Sequence, residues 1–110
     1  ILECIRLNPC VKSFVNVTTD KVYENQEQEN YGYVETDRLN GYDPYSNSKS
    51  CSELVTASYC KSFFSDRNLA VSTCRAGNVI GGGDFSENRI VPDCIKYNVK
   101  TIPIIVMNPN

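Results

Sequence analysis

A run rich in β-branched and aromatic residues, 12–19 (KSFVNVTT), and a second strand-like run, 69–75 (LAVSTCR), lie on either side of one long helical stretch, and this constrains the fold more than any other feature of the chain. Val, Thr and Phe suit a pleated surface, so both runs read as strands. Strands joined through a helix pair in parallel, because such a crossover replaces the tight turn of a hairpin. The helix starts at Asp43-Pro44, with Asp as N-cap and Pro at the first helical position, and runs to about Asp66, where Asn68 ends it. Residues 1–8 (ILECIRLN) read as the last turns of an amphipathic helix stopped by Asn8-Pro9. Residues 24–42 are polar and strand-poor, a long surface loop, and residues 77–84 (GNVIGGGD) form a glycine-rich loop. A short helix containing a proline is predicted over 89–99 and a third strand over 101–107 (TIPIIVM). Strand, helix, strand, helix, strand is the alternation of an open parallel sheet, so the expected fold class is α/β.

The apolar residues of the long helix (Cys51, Leu54, Val55, Ala57, Cys60, Phe63, Phe64) spread around most of the helical wheel. That distribution predicts burial on more than one side. One face would meet the sheet and the other, with Phe63, the same helix of a second subunit. The 110 residues are one domain or a piece of one, and the start at Ile1 and the stop at Asn-Pro-Asn suggest an internal piece. The 11 Lys and Arg are scattered among 13 Asp and Glu, so no basic footprint for nucleic acid or an anionic membrane is expected. No apolar run approaches the roughly 20 residues of a membrane helix. The chain has no histidine, which removes Ser-His-Asp and Cys-His catalysis and imidazole metal ligation; no metal is expected. Six cysteines show no C-x-x-C spacing and follow no secretory leader, so they are expected as buried free thiols in a reducing cytoplasm.

Three local patterns bear on chemistry. The first is Tyr45-Ser-Asn-Ser-Lys49, which sets a phenol and an ammonium one turn apart on one helix face. A neighbouring cation favours a phenolate, which can then move the proton of an alcohol, although the same spacing also suits a half-buried aromatic beside a solvated lysine. The second is Thr18-Thr19-Asp20-Lys21 at the C-terminal end of the first strand, the side on which open α/β sheets bind ligands. Hydroxyl, carboxylate and ammonium stand together there, as they also would in a strand end turning into solvent. The third is Arg75-Ala-Gly-Asn78 leading into the glycines, whose small size admits a phosphate-bearing ligand. It does not spell G-x-G-x-x-G, because Ser86 stands where the last glycine would be.

In this order and spacing, strand-end Thr-Asp-Lys, helix-start Tyr-x-x-x-Lys and Arg-x-x-Asn after the next strand resemble the extended short-chain dehydrogenase/reductase family. The runs VNVTTDKVYEN, GYDPYSNSKSCSELVTASY and RAGNVIGGGDFSENRIVPD are similar to its CDP-glucose 4,6-dehydratase branch, over nearly the whole chain. Val22 and Phe85 depart from the cysteine and tryptophan of many relatives. The resemblance implies part of a doubly wound, Rossmann-like NAD-binding domain lacking its N-terminal half. Residues 1–76 would be the C-terminal half of the cofactor-binding region, and 77–110 the start of the nucleotide-sugar-binding region. The family's opening strand, pyrophosphate loop and acidic ribose contact are expected upstream, so the 110 residues alone are expected to be inactive.

The implied reaction oxidises CDP-glucose at C4 with NAD, removes water across C5–C6 and returns the same hydride to C6 with a proton to C5, giving CDP-4-keto-6-deoxyglucose. By motif position, Tyr45 takes the 4-hydroxyl proton, and Lys49 supports the phenolate and holds the nicotinamide ribose. Thr19 binds the 4-oxygen, and Asp20 protonates the departing 6-hydroxyl. Lys21, where dTDP-glucose dehydratases carry glutamate, acts on the C5 proton. Thr18 and Ala76 join Tyr45 and Lys49 against the cofactor, Asn78 contacts the diphosphate, and Arg89, Ile90 and Pro92 line the nucleotide pocket. The complete protein would be a cytoplasmic homodimer or tetramer. UDP-N-acetylglucosamine or dTDP-glucose 4,6-dehydratases and nucleotide-sugar 4-epimerases are the alternatives within the family. A non-catalytic dinucleotide-binding protein is the alternative of another class.

Overall fold

The computed structural model describes residues 1–27, 29–100 and 103–104. It falls into two units, Ile1–Gly77 and Asn78–Asn110. The first contains helix α1 (Leu2–Leu7), strand β1 (Ser13–Thr19), a 3-10 turn (Asp20–Val22), helix α2 (Pro44–Tyr59) and strand β2 (Ala70–Ala76). The strands pair in parallel, from Ser13 opposite Ala70 to Thr19 opposite Ala76. The second unit contains helix α3 (Ile90–Lys100), whose Pro92 sits in the first turn, where a missing N–H is tolerated. Apart from residues 103 and 104, the strand expected at 101–107 lies outside the described residues.

Helix α2 begins as the sequence dictates. The Asp43 carboxylate accepts the backbone N–H groups of Tyr45 (2.9 Å) and Ser46 (3.1 Å), and Pro44 occupies the first helical position. After Tyr59 the helix widens into a π-helical segment, Cys60–Phe64, so the helical run ends slightly before Asp66. There Tyr59 lies 5.2 Å from the Phe63 ring and 6.0 Å from that of Phe64. Arg67 then donates to the carbonyls of Ile5 (2.8 Å) and Asn8 (3.1 Å), placing a cation at the C-terminal end of α1.

The buried face of α2 corrects the expectation that its apolar residues would be buried on more than one side. Its buried residues are Ser46, Ser50, Glu53 and Thr56, spaced as one face of a helix. Glu53 and Thr56 meet polar groups of β1, where Thr18 donates to Glu53 and Asn16 to Thr56 and to the neighbouring Ser52, while Ser50 bonds Val22 and Gly41. Among the described residues every buried side-chain nitrogen and oxygen has a partner, which is the condition for burying polar groups at tolerable cost. The buried apolar residues are Ile5, Val22 and Phe64, whereas Cys51, Leu54, Val55, Ala57 and Phe63 are exposed.

The cysteines need a second correction. All six are free thiols, as expected, but Cys4, Cys10, Cys51 and Cys74 are exposed and Cys60 and Cys94 half-buried. The reason is placement. Cys51 lies off the buried stripe of α2, and Cys74 alternates along β2 with Arg75, whose side chain reaches α2.

The loop over 24–42 is closed at its ends. Tyr23 bridges Leu39, Glu24 N–H donates to Arg38 and Asn40 N–H to Val22. Inside it Tyr23 stacks on Tyr33 at 4.8 Å, and Tyr31 meets Tyr33 edge-on at 5.5 Å. Gly41 then passes so close to α2 that a Cβ there would stand 2.4 Å from the backbone carbon of Ser46. Among the described residues no helix is long and apolar enough to cross a membrane.

Gly41→Ala should therefore destabilise the complete protein by about 1–3 kcal/mol, because the added methyl meets backbone that cannot rotate away. Denaturant unfolding measures this, and an unchanged midpoint would contradict the close approach.

Candidate active site

The parallel register brings the C-terminal ends of β1 and β2 side by side, with Thr19 opposite Ala76. Thr18 and Thr19 are buried, at 6% and 8% exposure. Thr19 caps the 3-10 turn: its hydroxyl accepts from the Lys21 N–H (3.4 Å) and donates to the Asp20 carboxylate (3.0 Å). The other Asp20 oxygen faces Gly77, where a Cβ would come within 3.7 Å. Asp20 and Lys21 are exposed, and the Lys21 ammonium has no hydrogen-bond or ion-pair partner among the described residues.

Tyr45 and Lys49 lie one turn apart at the start of α2, on one face. The Lys49 nitrogen is 5.9 Å from the Tyr45 ring centroid. Tyr45 is 57% exposed and Lys49 half-buried. The ring is the one partner of the Lys49 ammonium among the described residues, so its three donors remain available to an oxygen-rich ligand. Among the described residues no hydrogen bond joins the Tyr45 or Lys49 side chains to Thr19, Asp20 or Lys21. The two groups are connected instead through Ser50, which hydrogen-bonds Val22 at the end of the 3-10 turn.

The remaining predicted site residues lie elsewhere. The Thr18 hydroxyl is turned toward α2 and donates to Glu53 at 2.5 Å. Ala76 is half-buried at the end of β2. Asn78, Arg89 and Ile90 are exposed and Pro92 half-buried, all within the second unit. Among the described residues no cluster of Cys, Asp or Glu is suited to a metal ion.

Sequence reasoning missed the groups that hold this arrangement together. The single Nε–H of Arg75 is shared between the two Glu53 carboxylate oxygens (3.1 and 3.0 Å), and Nη2 donates to Oε2 (2.6 Å). The side chains are 4% and 17% exposed. Arg75 also donates to the Tyr23 hydroxyl (2.8 Å) and the Glu35 carbonyl (3.1 Å), with its guanidinium carbon 4.7 Å from the Tyr23 ring centroid. The Glu53 carboxylate raises the Arg75 pKa further above its ordinary value, so this cation is permanent. The signal that could have revealed Glu53 is the polar spacing Ser46, Ser50, Glu53, Thr56. At the start of the same helix the Ser46 hydroxyl and the capped N–H groups hold the Asp43 carboxyl below the usual aspartate range.

The chain matches the NAD dependent epimerase/dehydratase family over residues 1–108. It is 41% identical to a CDP-glucose 4,6-dehydratase of Salmonella typhimurium, over 99% of this chain and 32% of that protein. It is 35% identical to a dTDP-D-glucose 4,6-dehydratase of Dictyostelium discoideum, over 77% of this chain and 20% of that protein. An uncharacterised protein of Schizosaccharomyces pombe is 35% identical over 82% of this chain and 25% of its own length. The chain thus spans a third or less of the length of the curated relatives it matches.

Two outcomes follow from the electrostatics. Glu53→Ala should destabilise the complete protein by about 3–5 kcal/mol by stranding the Arg75 charge, whereas the double change Glu53→Leu, Arg75→Met should cost less than the single one. Strictly additive costs in denaturant unfolding would show that the two are uncoupled. Folding lowers the Asp43 pKa, so the stability this carboxylate contributes is present above the ordinary aspartate pKa and lost as pH falls through the depressed value. The advantage of the wild type over Asp43→Ala in thermal midpoint should accordingly be seen at neutral pH and shrink in acid; a gap independent of pH would refute it.

Proposed function

The chain belongs to the NAD-dependent epimerase/dehydratase family, and from that premise we propose that the complete protein is a cytoplasmic, NAD-dependent 4,6-dehydratase of CDP-glucose. What supports the reading is that one unit carries both Thr19, Asp20 and Lys21 at the end of β1 and Tyr45 and Lys49 on one face of α2. It occurs in a chain 41% identical to a CDP-glucose 4,6-dehydratase. Residues 1–76 belong in this reading to the cofactor-binding region, and 77–110 begin the region that holds the nucleotide sugar.

The Lys49 ammonium, which among the described residues has the Tyr45 ring beside it and no hydrogen-bond partner, suits the vicinal hydroxyls of a ribose, and the small Ala76 at the strand end suits a flat ring. Tyr45, Lys49, Thr18 and Ala76 are thus the proposed cofactor contacts, Thr18 through its backbone because its hydroxyl is committed to Glu53. Bound NAD supplies reversible two-electron oxidation of the sugar. Tyr45 takes the 4-hydroxyl proton, its exposed phenol open to the ligand. Thr19 steadies the 4-oxygen, Asp20 gives a proton to the departing 6-hydroxyl, and Lys21 handles the proton at C5, whose acidity rises once C4 is a ketone. Asn78 contacts the diphosphate, and Arg89, Ile90 and Pro92 line the nucleotide pocket. The exposed apolar residues Leu54 and Val55 of α2 and Phe63 of the π-helical segment support a homodimer or tetramer of the complete protein.

A second reading, dTDP-glucose as substrate, is favoured by the 35% identity to the Dictyostelium enzyme. Giving the complete protein CDP-glucose, dTDP-glucose and UDP-N-acetylglucosamine, and following the 4-keto product by its absorbance in base, separates them. Turnover of CDP-glucose is expected. Preference for another nucleotide would overturn the substrate, and turnover of none would overturn the dehydratase reading. Tyr45→Phe should lower kcat by roughly 10²–10⁴-fold. Lys21→Ala should block dehydration while leaving oxidation at C4 measurable.

A further inference from the structure

Ser50 follows Lys49 on α2 and is 2% exposed. Its hydroxyl accepts the Gly41 N–H at 3.0 Å and lies 2.8 Å from the Val22 carbonyl and 3.1 Å from that of Ser46. A hydroxyl has one proton to give, so it donates to one of these carbonyls at a time, and Val22 offers the shorter contact. Val22 closes the 3-10 turn that begins with Asp20 and Lys21. Gly41 ends the 24–42 loop and is also held by Asn47, whose amide donates to its carbonyl at 3.0 Å. One buried hydroxyl therefore ties together the helix that carries Tyr45 and Lys49, the turn that carries Asp20 and Lys21, and the end of the loop.

We propose that Ser50 is a positioning residue that fixes Asp20 and Lys21 against Tyr45 and Lys49 during dehydration; the proposal rests on the dehydratase reading above. Two considerations favour it. The two sets of side chains share no hydrogen bond among the described residues, so their spacing must be set by what lies beneath them. The Val22 carbonyl is also the acceptor of the Asn40 N–H at 2.9 Å, so the turn is clamped from the loop and from the helix at one oxygen. Removing the hydroxyl leaves the Gly41 N–H buried without its partner and frees the turn to shift relative to α2.

The test uses the complete protein. Ser50→Ala should lower kcat about 10–100-fold, the effect of a small misplacement of reacting groups, while KM stays within about twofold. An unchanged kcat, or a rise in KM alone, would overturn the proposal. A second measurement needs no variant: in the wild type the Gly41 amide should exchange with solvent as slowly as the amides of β1. Exchange as fast as that of the exposed loop residues would overturn it equally, whether or not Ser50→Ala folds. A wild type that turns over no nucleotide sugar would instead refute the dehydratase reading, so the two failures are distinguishable.

Discussion

The ion pair between Glu53 and Arg75 is the constraint on which the rest of the first unit depends. A bidentate guanidinium–carboxylate contact this far from solvent carries a large desolvation cost, which is offset only when the remaining donors and acceptors are also satisfied. Here they are. Thr18 supplies a further donor to Glu53, while Tyr23 and the Glu35 carbonyl take up Arg75. The network consequently spans β1, β2, α2 and the loop in one set of bonds. With few buried apolar residues in the unit, generic apolar contact alone would not fix how α2 lies on the sheet. Directional bonds do, because each has one satisfactory geometry.

The same geometry explains why the candidate site forms where it does. A single crossover forces the strands parallel, and parallel strands end on the same side. Thr19 and Ala76 are thereby adjacent, Asp20 and Gly77 follow them, and the absence of a side chain at Gly77 leaves space beside the Asp20 carboxylate. Helix α2 begins close to this edge because Gly41 and Ser50 hold its first turns against Val22. Polar groups at the edge stay accessible, while the bonds that orient them lie beneath.

Much of this was legible from local chemistry. The residue types of runs 12–19 and 69–75 marked both strands, Asp43-Pro44 marked the start of α2, and spacing by four marked the shared face of Tyr45 and Lys49, because each depends only on neighbours in sequence. The buried stripe of α2 was not legible. Apolar periodicity is the usual guide to the inner face, and here the apolar residues lie mostly on the outer ones, so the guide pointed away from Ser46, Ser50, Glu53 and Thr56. Nor could spacing reveal bonds whose partners are far apart in the chain, such as Thr18 with Glu53 or Ser50 with Val22.

The polar stripe and the candidate site are connected by position. Ser46 and Ser50 follow directly upon Tyr45 and Lys49, so each of these two proposed site residues is succeeded by a buried, hydrogen-bonded serine. A helix held only by leucines could slide or roll a little without losing contact, since dispersion forces have no preferred direction. A helix held by Ser50 on Val22 and Glu53 on Arg75 cannot, because a small shift breaks bonds whose buried partners have no water to replace them. The polar interface thus exchanges tolerance for fixed register, and register is what the proposed proton transfer among Tyr45, Asp20 and Lys21 would require.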